Sequence, residues 1–137
     1  MAWSRVNKYK AKGSRDEEGR YFPSQGEAAR ARNLQLQEKA GIIRDLKFHP
    51  SVEIYPGIGW KLDSTYVEVA TGIQYWEDFK GLMTGETRLK INIWKYLGPG
   101  PLRITKGDAR TGVFRVDKEY KPLGISQLIE DYKKCVA

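Results

Sequence analysis

Hydrophobic and polar positions change period several times along the chain, and each change marks an element. After a polar stretch ending in Phe22-Pro23, the residues Ser24-Gln25-Gly26-Glu27 have the Ser-x-x-Glu form of a capping box. A helix is therefore predicted from Ser24 to about Ala40, with Gly41 as its stop. On a helical wheel Glu27, Ala31 and Leu34 share one stripe, while Ala29, Leu36 and Ala40 share another, which predicts contacts on two sides. Short β-like runs follow at 42–48 and 51–55, then a turn at Pro56-Gly57-Ile58-Gly59. A β-branched run at 62–69, a Thr71-Gly72 turn and a strand at 73–80 closed by Gly81 come next. A second helix is predicted over 86–97, stopped by Gly98-Pro99-Gly100-Pro101. Two strands at 102–106 and 112–117 precede a last amphipathic helix over 125–135, capped by Ser126 or Gly124. Helix, strands, helix, strands, helix predicts an α/β fold with a central sheet covered by helices.

Composition narrows the class of protein. A chain of 137 residues suits one domain, and 40% hydrophobic with 30% charged residues excludes a disordered one. Cys135 is the only cysteine, which excludes an internal disulfide and a Cys-based zinc site. No run approaches the ~18 apolar residues of a membrane span and no apolar signal core opens the chain, so the expected setting is cytoplasmic, without membrane contact. The net charge of +7 favours an anionic partner, nucleic acid first. It is unevenly spread, at +5 over 1–44, −4 over 45–79 and +6 over 80–137. An acidic centre between basic flanks suits a cation site inside a polyanion-binding surface. Residues 1–15 carry Arg5, Lys8, Lys10, Lys12 and Arg15 with no acid and no apolar period. They read as a basic arm ahead of a single domain at 16–137, either phosphate-binding or merely solubilising.

Candidate chemistry is soon reduced to carboxylates. His49 is the only histidine, set in Phe48-His49-Pro50 between apolar segments, where a structural role is expected. Neither a Walker A sequence nor a Gly-x-Gly-x-x-Gly is present. What remains is Glu27, Asp63 and the run Glu77-Asp78-Phe79-Lys80. Strand alternation sends Tyr75, Glu77 and Phe79 to one face and Trp76, Asp78 and Lys80 to the other. Two aspartates on adjacent strands can hold a hard divalent ion such as Mg²⁺, and a neighbouring lysine can orient or deprotonate a water and stabilise charge on a phosphate. Each part has a plainer alternative. Asp78 and Lys80 could be a surface ion pair, and Glu27 could simply complete the capping box.

An opening-helix glutamate, an aspartate, and Asp-x-Lys some fifteen residues later resemble the PD-(D/E)XK nuclease superfamily. More narrowly, SQGEAARARNLQLQEKAGIIRDLKFHP with KLDSTYVEVATGIQYWEDFKG is similar to small phage proteins of that superfamily, themselves similar to archaeal-type Holliday junction resolvases. The resemblance covers about residues 20–97, and Leu62 stands where the family usually has proline before its aspartate. It implies a restriction-endonuclease-like core, a mixed sheet flanked by helices. Glu27, Asp63, Asp78 and Lys80 take the catalytic positions, with Glu27, Asp63 and Asp78 as ligands of Mg²⁺, for which Mn²⁺ would substitute. The implied activity is cleavage of branched DNA, leaving a 5′-phosphate, in the host cytoplasm if the chain is phage-encoded. The arm and the cations Arg88, Lys90 and Lys95 would hold the phosphate backbone. Paired cuts at a four-way junction call for a homodimer, with apolar surface offered by the two-striped first helix and by Tyr75-Trp76 and Trp94-Lys95-Tyr96, unless these aromatics fill the core. A nicking or end-processing nuclease, and a non-catalytic DNA-binding module, are the alternatives.

Overall fold

A computed structural model describes residues 13–15, 19–22, 24–80 and 83–137. Arg5, Lys8, Lys10, Lys12, Pro23 and Gly81 lie outside the described residues. Two short strands, β1 (Ser14–Arg15) and β2 (Tyr21–Phe22), pair antiparallel ahead of the first helix. Arg15, predicted to belong to the arm, is thus part of β1. Helix α1 (Gln25–Lys39) starts as predicted, with Ser24 extended and its Oγ accepting from the Glu27 N–H at 3.1 Å. It ends in a Schellman motif. The Ile42 N–H bonds the Gln37 carbonyl and the Gly41 N–H bonds the Glu38 carbonyl, which is possible because Gly41 sits at φ +77°.

Beyond α1 come β3 (Ile43–Phe48), β4 (Ser51–Tyr55), β5 (Ile58–Lys61), β6 (Ser64–Glu68) and β7 (Gln74–Phe79). Helix α2 (Gly85–Leu97), β8 (Leu102–Asp108), β9 (Val113–Tyr120) and α3 (Ile125–Val136) complete the chain. The central sheet is mixed and five-stranded, in the order β3-β6-β7-β8-β9. Only β7 and β8 pair in parallel, as the α2 crossover between them requires. Strands β4 and β5 form a separate hairpin, a departure from the sequence reading. Pro56-Gly57 alone makes the turn, and Ile58-Gly59, taken as its second half, opens β5 instead. The hairpin forms because Ile54 and Trp60 bury in a cluster with Leu62, Ile91, Trp94, Leu102 and Ile104.

Strand β7 separates the two faces of the sheet. Tyr75 packs with Leu34, Ile43 and Tyr66 on the α1 side, and the Trp76 ring lies 5.8 Å from Trp94 of α2 on the other. Tyr75 and Trp94, which the sequence leaves open between spare surface and core, are therefore core. The second stripe of α1 is only partly used, with Ala29 buried and Leu36 65% exposed. Strands β8 and β9 run longer than predicted because they pair along most of their length. Helix α3 starts at Gly124 (φ +91°) with no side-chain cap, which settles the cap against Ser126. Among the described residues no helix is long and apolar enough to cross a membrane.

Glu77, fully buried, ties the α1 layer to the sheet. Arg30 of α1 donates from Nε and Nη2 to its two carboxylate oxygens, each at 2.8 Å, and the Tyr66 hydroxyl donates to Oε1 at 2.9 Å. Removing one partner of such a pair leaves an uncompensated buried charge. Arg30→Met should therefore cost about 3–5 kcal/mol in urea unfolding, and adding Glu77→Met should recover part of it. An unshifted urea midpoint in Arg30→Met would show that the pair contributes nothing.

Candidate active site

Backbone hydrogen bonds put Asp63 where its side chain can meet β7. Its N–H bonds the Glu77 carbonyl at 3.2 Å, and its own carbonyl accepts from the His49 N–H at 2.9 Å. From there Asp63 Oδ2 accepts the Phe79 N–H at 2.6 Å. Asp78, on β7, is 3% exposed and points to the face opposite Glu77, as alternation predicts. Lys80 leaves the end of β7 anchored by its N–H on the Thr105 carbonyl, and its Nζ lies 2.6 Å from Asp78 Oδ2. That contact is an ion pair, and this buried oxygen has no further donor among the described residues. Glu27 enters from the first turn of α1. The close approach depends on Gly26, where a Cβ would meet the Phe79 ring at 2.6 Å.

The electrostatics follow from this crowding. Burial, reinforced by Asp78 and Glu27, holds the Asp63 carboxyl well above its ordinary range, and Asp63 shares a hydrogen bond with Asp78. Burial raises Asp78 too, against the opposing pull of Lys80. Glu27 is pushed up to about 7 by burial and then by Asp78, with Lys80 opposing. Burial alone would lower Lys80, but Asp78, Asp63 and Glu27 outweigh it, so the amine is held as an ammonium. Two buried carboxyls, a third within electrostatic reach and a paired ammonium make a set of hard-oxygen donors with one cation among three acids. The donor set fits Mg²⁺ or Mn²⁺ in kind. Among the described residues, though, no three acidic, His or Cys side chains already form a cluster able to hold a metal.

The structure thus joins Glu27, Asp63, Asp78 and Lys80, and turns Glu77 away into its pair with Arg30. The described basic residues predicted to hold DNA have other partners or lie in solvent. Arg15 donates to the Gly19 carbonyl, Lys90 pairs with Glu86, Lys95 lies over the Tyr120 ring, and Arg88 is exposed. Two features escaped the sequence reading. Arg30, one turn after Glu27, is one of several arginines that nothing in the pattern distinguishes. Arg20 and Lys61 flank His49 beside Asp63, and the only available signal was the position of Lys61 two residues before that aspartate. His49 itself has the structural place expected of it. Its ring lies 5.5 Å from Phe22, and burial, then Lys61 and Arg20, lower its pKa. A small cleft, with room for about one water molecule, opens between α1 and the sheet, lined in part by Glu27, Arg30, Asp63, Ser64 and Phe79. It reaches one side of the carboxylate group, since Asp78 and Lys80 lie outside its lining. No protein family, curated protein or solved structure matches this chain.

The raised carboxyls make stability depend on pH with a definite sign. Glu27, Asp63 and Asp78 bind protons more tightly folded than unfolded, so their contribution is complete below the ordinary carboxylate pKa. It is lost as pH rises, through about 7 for Glu27. Without added divalent ion, the melting temperature should fall by several degrees between pH 5 and 8, where 1 kcal/mol corresponds to roughly 4 °C. Asp78→Asn should flatten that profile, and a wild-type midpoint that rises over the same range would contradict the assignment.

Proposed function

We propose that this chain is a metal-dependent endodeoxyribonuclease with a restriction-endonuclease-like core, cutting branched DNA as a Holliday junction resolvase. The observation that carries the reading is the meeting of Asp63, Asp78, Lys80 and Glu27 at one end of β7, where burial raises the affinity of all three carboxyls for protons. A surface ion pair would leave Asp78 and Lys80 in solvent, but Asp78 is buried. The mixed sheet with helices around it, and the two aspartates at neighbouring strands, support the same reading.

Asp63 and Asp78 would hold Mg²⁺ or Mn²⁺, with Glu27 as a further ligand directly or through water. When bound, such an ion supplies an activated water and charge stabilisation at the leaving oxygen. Lys80, a cation fixed by Asp78, is suited to orienting the water and neutralising charge on the scissile phosphate rather than to taking a proton. The Phe79 N–H fixes the Asp63 carboxylate, and Gly26 lets Glu27 approach. Phosphate contacts from the arm and from Arg88, Lys90 and Lys95 would read shape and charge, not base sequence.

A gel comparing a four-way junction with linear duplex, in Mg²⁺ and in chelator, tests the activity. Junction cleavage that requires Mg²⁺ is expected. Asp78→Asn should lower its rate about a hundredfold or more, the scale of losing a charge-stabilising group, while DNA binding persists. Folded Glu77→Gln should retain cleavage, because that side chain faces Arg30. Cleavage of linear duplex alone would favour a nicking or end-processing enzyme, and no metal-dependent cleavage of any DNA would leave a binding module. Removing residues 1–12, with Arg5, Lys8, Lys10 and Lys12, should reduce the slope of log affinity against log salt by a few units, at about 0.9 per lost phosphate contact. An unchanged slope would make the arm a solubilising tail.

A further inference from the structure

Strands β8 and β9 run past the end of β7. The ladder between β7 and β8 closes at Phe79 and Thr105, whereas β8 and β9 go on to pair Lys106 with Arg115, Gly107 with Phe114 and Asp108 with Val113. These last three pairs project as a two-stranded ribbon beside Lys80. Its turn is braced by Asp108, whose carbonyl accepts the Gly112 N–H at 2.9 Å and whose Oδ1 accepts the Arg110 N–H at 2.8 Å. One face of the ribbon is packed. The Phe114 ring lies 6.1 Å from Phe79 and 5.8 Å from the Arg30 guanidinium. Gly107 makes room for that ring, since a Cβ there would strike Phe114.

The other face carries charge. Residues directly opposite on paired strands share a face, so Lys106 and Arg115 lie together. Lys80 stands one residue past Phe79 as Lys106 stands one past Thr105, and the Lys80 N–H still bonds the Thr105 carbonyl. Lys80, Lys106 and Arg115 thus form a row across three neighbouring strands, on the face of the sheet that holds Asp78. At about 4.8 Å per strand the row spans roughly 10 Å. That matches about three nucleotides of a DNA strand, at ~3.4 Å of axial rise each. The Lys106 and Arg115 side chains are 44 and 69% exposed, and the single carboxylate of Asp117 serves both, at 3.6 and 3.8 Å. Surface pairs this long bind weakly, and one acid between two cations leaves a positive charge over.

We propose that this ribbon is a DNA-backbone arm, with Lys106 and Arg115 holding the phosphates next to the one at Lys80. The role rests on the nuclease reading, which brings a phosphate to Lys80. Fluorescence anisotropy of a labelled four-way junction with the full chain, in chelator so that nothing is cut, gives log affinity against log salt. The double variant Lys106→Gln/Arg115→Gln should lower that slope by about two units, at about 0.9 per lost phosphate contact. Asp117→Asn should tighten binding, because it removes the acid that competes with phosphate for the same two cations. Lys39→Gln, exposed at the far end of α1, should leave the slope unchanged. All of these chains should keep the wild-type far-UV circular dichroism. An unchanged slope in the double variant, or an equal loss in Lys39→Gln, overturns the arm. So does a wild-type chain that binds no DNA. Displacement of the DNA by poly-glutamate of equal total charge also overturns it, because an acidic protein would then be the occupant. A chain that shows the expected slopes yet cuts no DNA keeps the arm and loses the nuclease.

Discussion

The bidentate pair between Arg30 and Glu77 decides where everything at the site can be. It joins α1 to β7 in a layer where Glu77 is fully buried, and Tyr66 takes part of the same carboxylate from β6. A charge buried this deeply is tolerated only with its partners in place, so the pair permits little sliding between helix and strand. Because neighbouring residues on a strand face opposite ways, holding Glu77 toward α1 forces Asp78 to the other side. Glu27 lies one turn before Arg30, so the same link sets how the first turn of α1 meets the strand. One structural carboxylate thus positions a set of chemical ones.

The site is costly by the same measures that make the Arg30 pair stable. Glu77 has an arginine and a hydroxyl, whereas Asp63, Asp78 and Glu27 share a single ammonium, that of Lys80. Crowding three carboxyls about one cation raises their affinity for protons. Binding a divalent ion would relieve the imbalance. Such unfavourable arrangements concentrate at functional sites, since a purely structural role would be served by pairing each acid. Helix α3 shows a comparable imbalance in apolar surface: among the described residues none covers Ile125, Ile129, Tyr132 and Val136.

Features set by neighbouring residues were legible in the sequence. The Ser24 cap, the Gly41 stop and the alternation that separates Glu77 from Asp78 all act over a few residues, and the structure has them. Glu27, Asp63, Asp78 and Lys80 were singled out by the same local pattern, and the fold brings them within electrostatic reach of one another. Features decided by tertiary contact were not legible. Ile58-Gly59 resembles a turn until Trp60 is buried against Trp94, which makes it a strand. The aromatic pairs around Tyr75 and Trp94 read equally well as surface or core, and burial made them core. Arg30 was indistinguishable from its neighbour Arg32 until the fold set it against Glu77. The stripe of α3 was visible, but an amphipathic pattern does not say whose apolar surface will cover it.

The central claim is that Asp63 and Asp78 form a cation site. The most direct test is calorimetric titration of the DNA-free protein with Mn²⁺. The account predicts saturable binding by the wild-type chain that disappears in Asp63→Asn and in Asp78→Asn, while Lys80→Met still binds. Wild-type protein that takes up no Mn²⁺, or Mn²⁺ binding unaffected by loss of either aspartate, would contradict it.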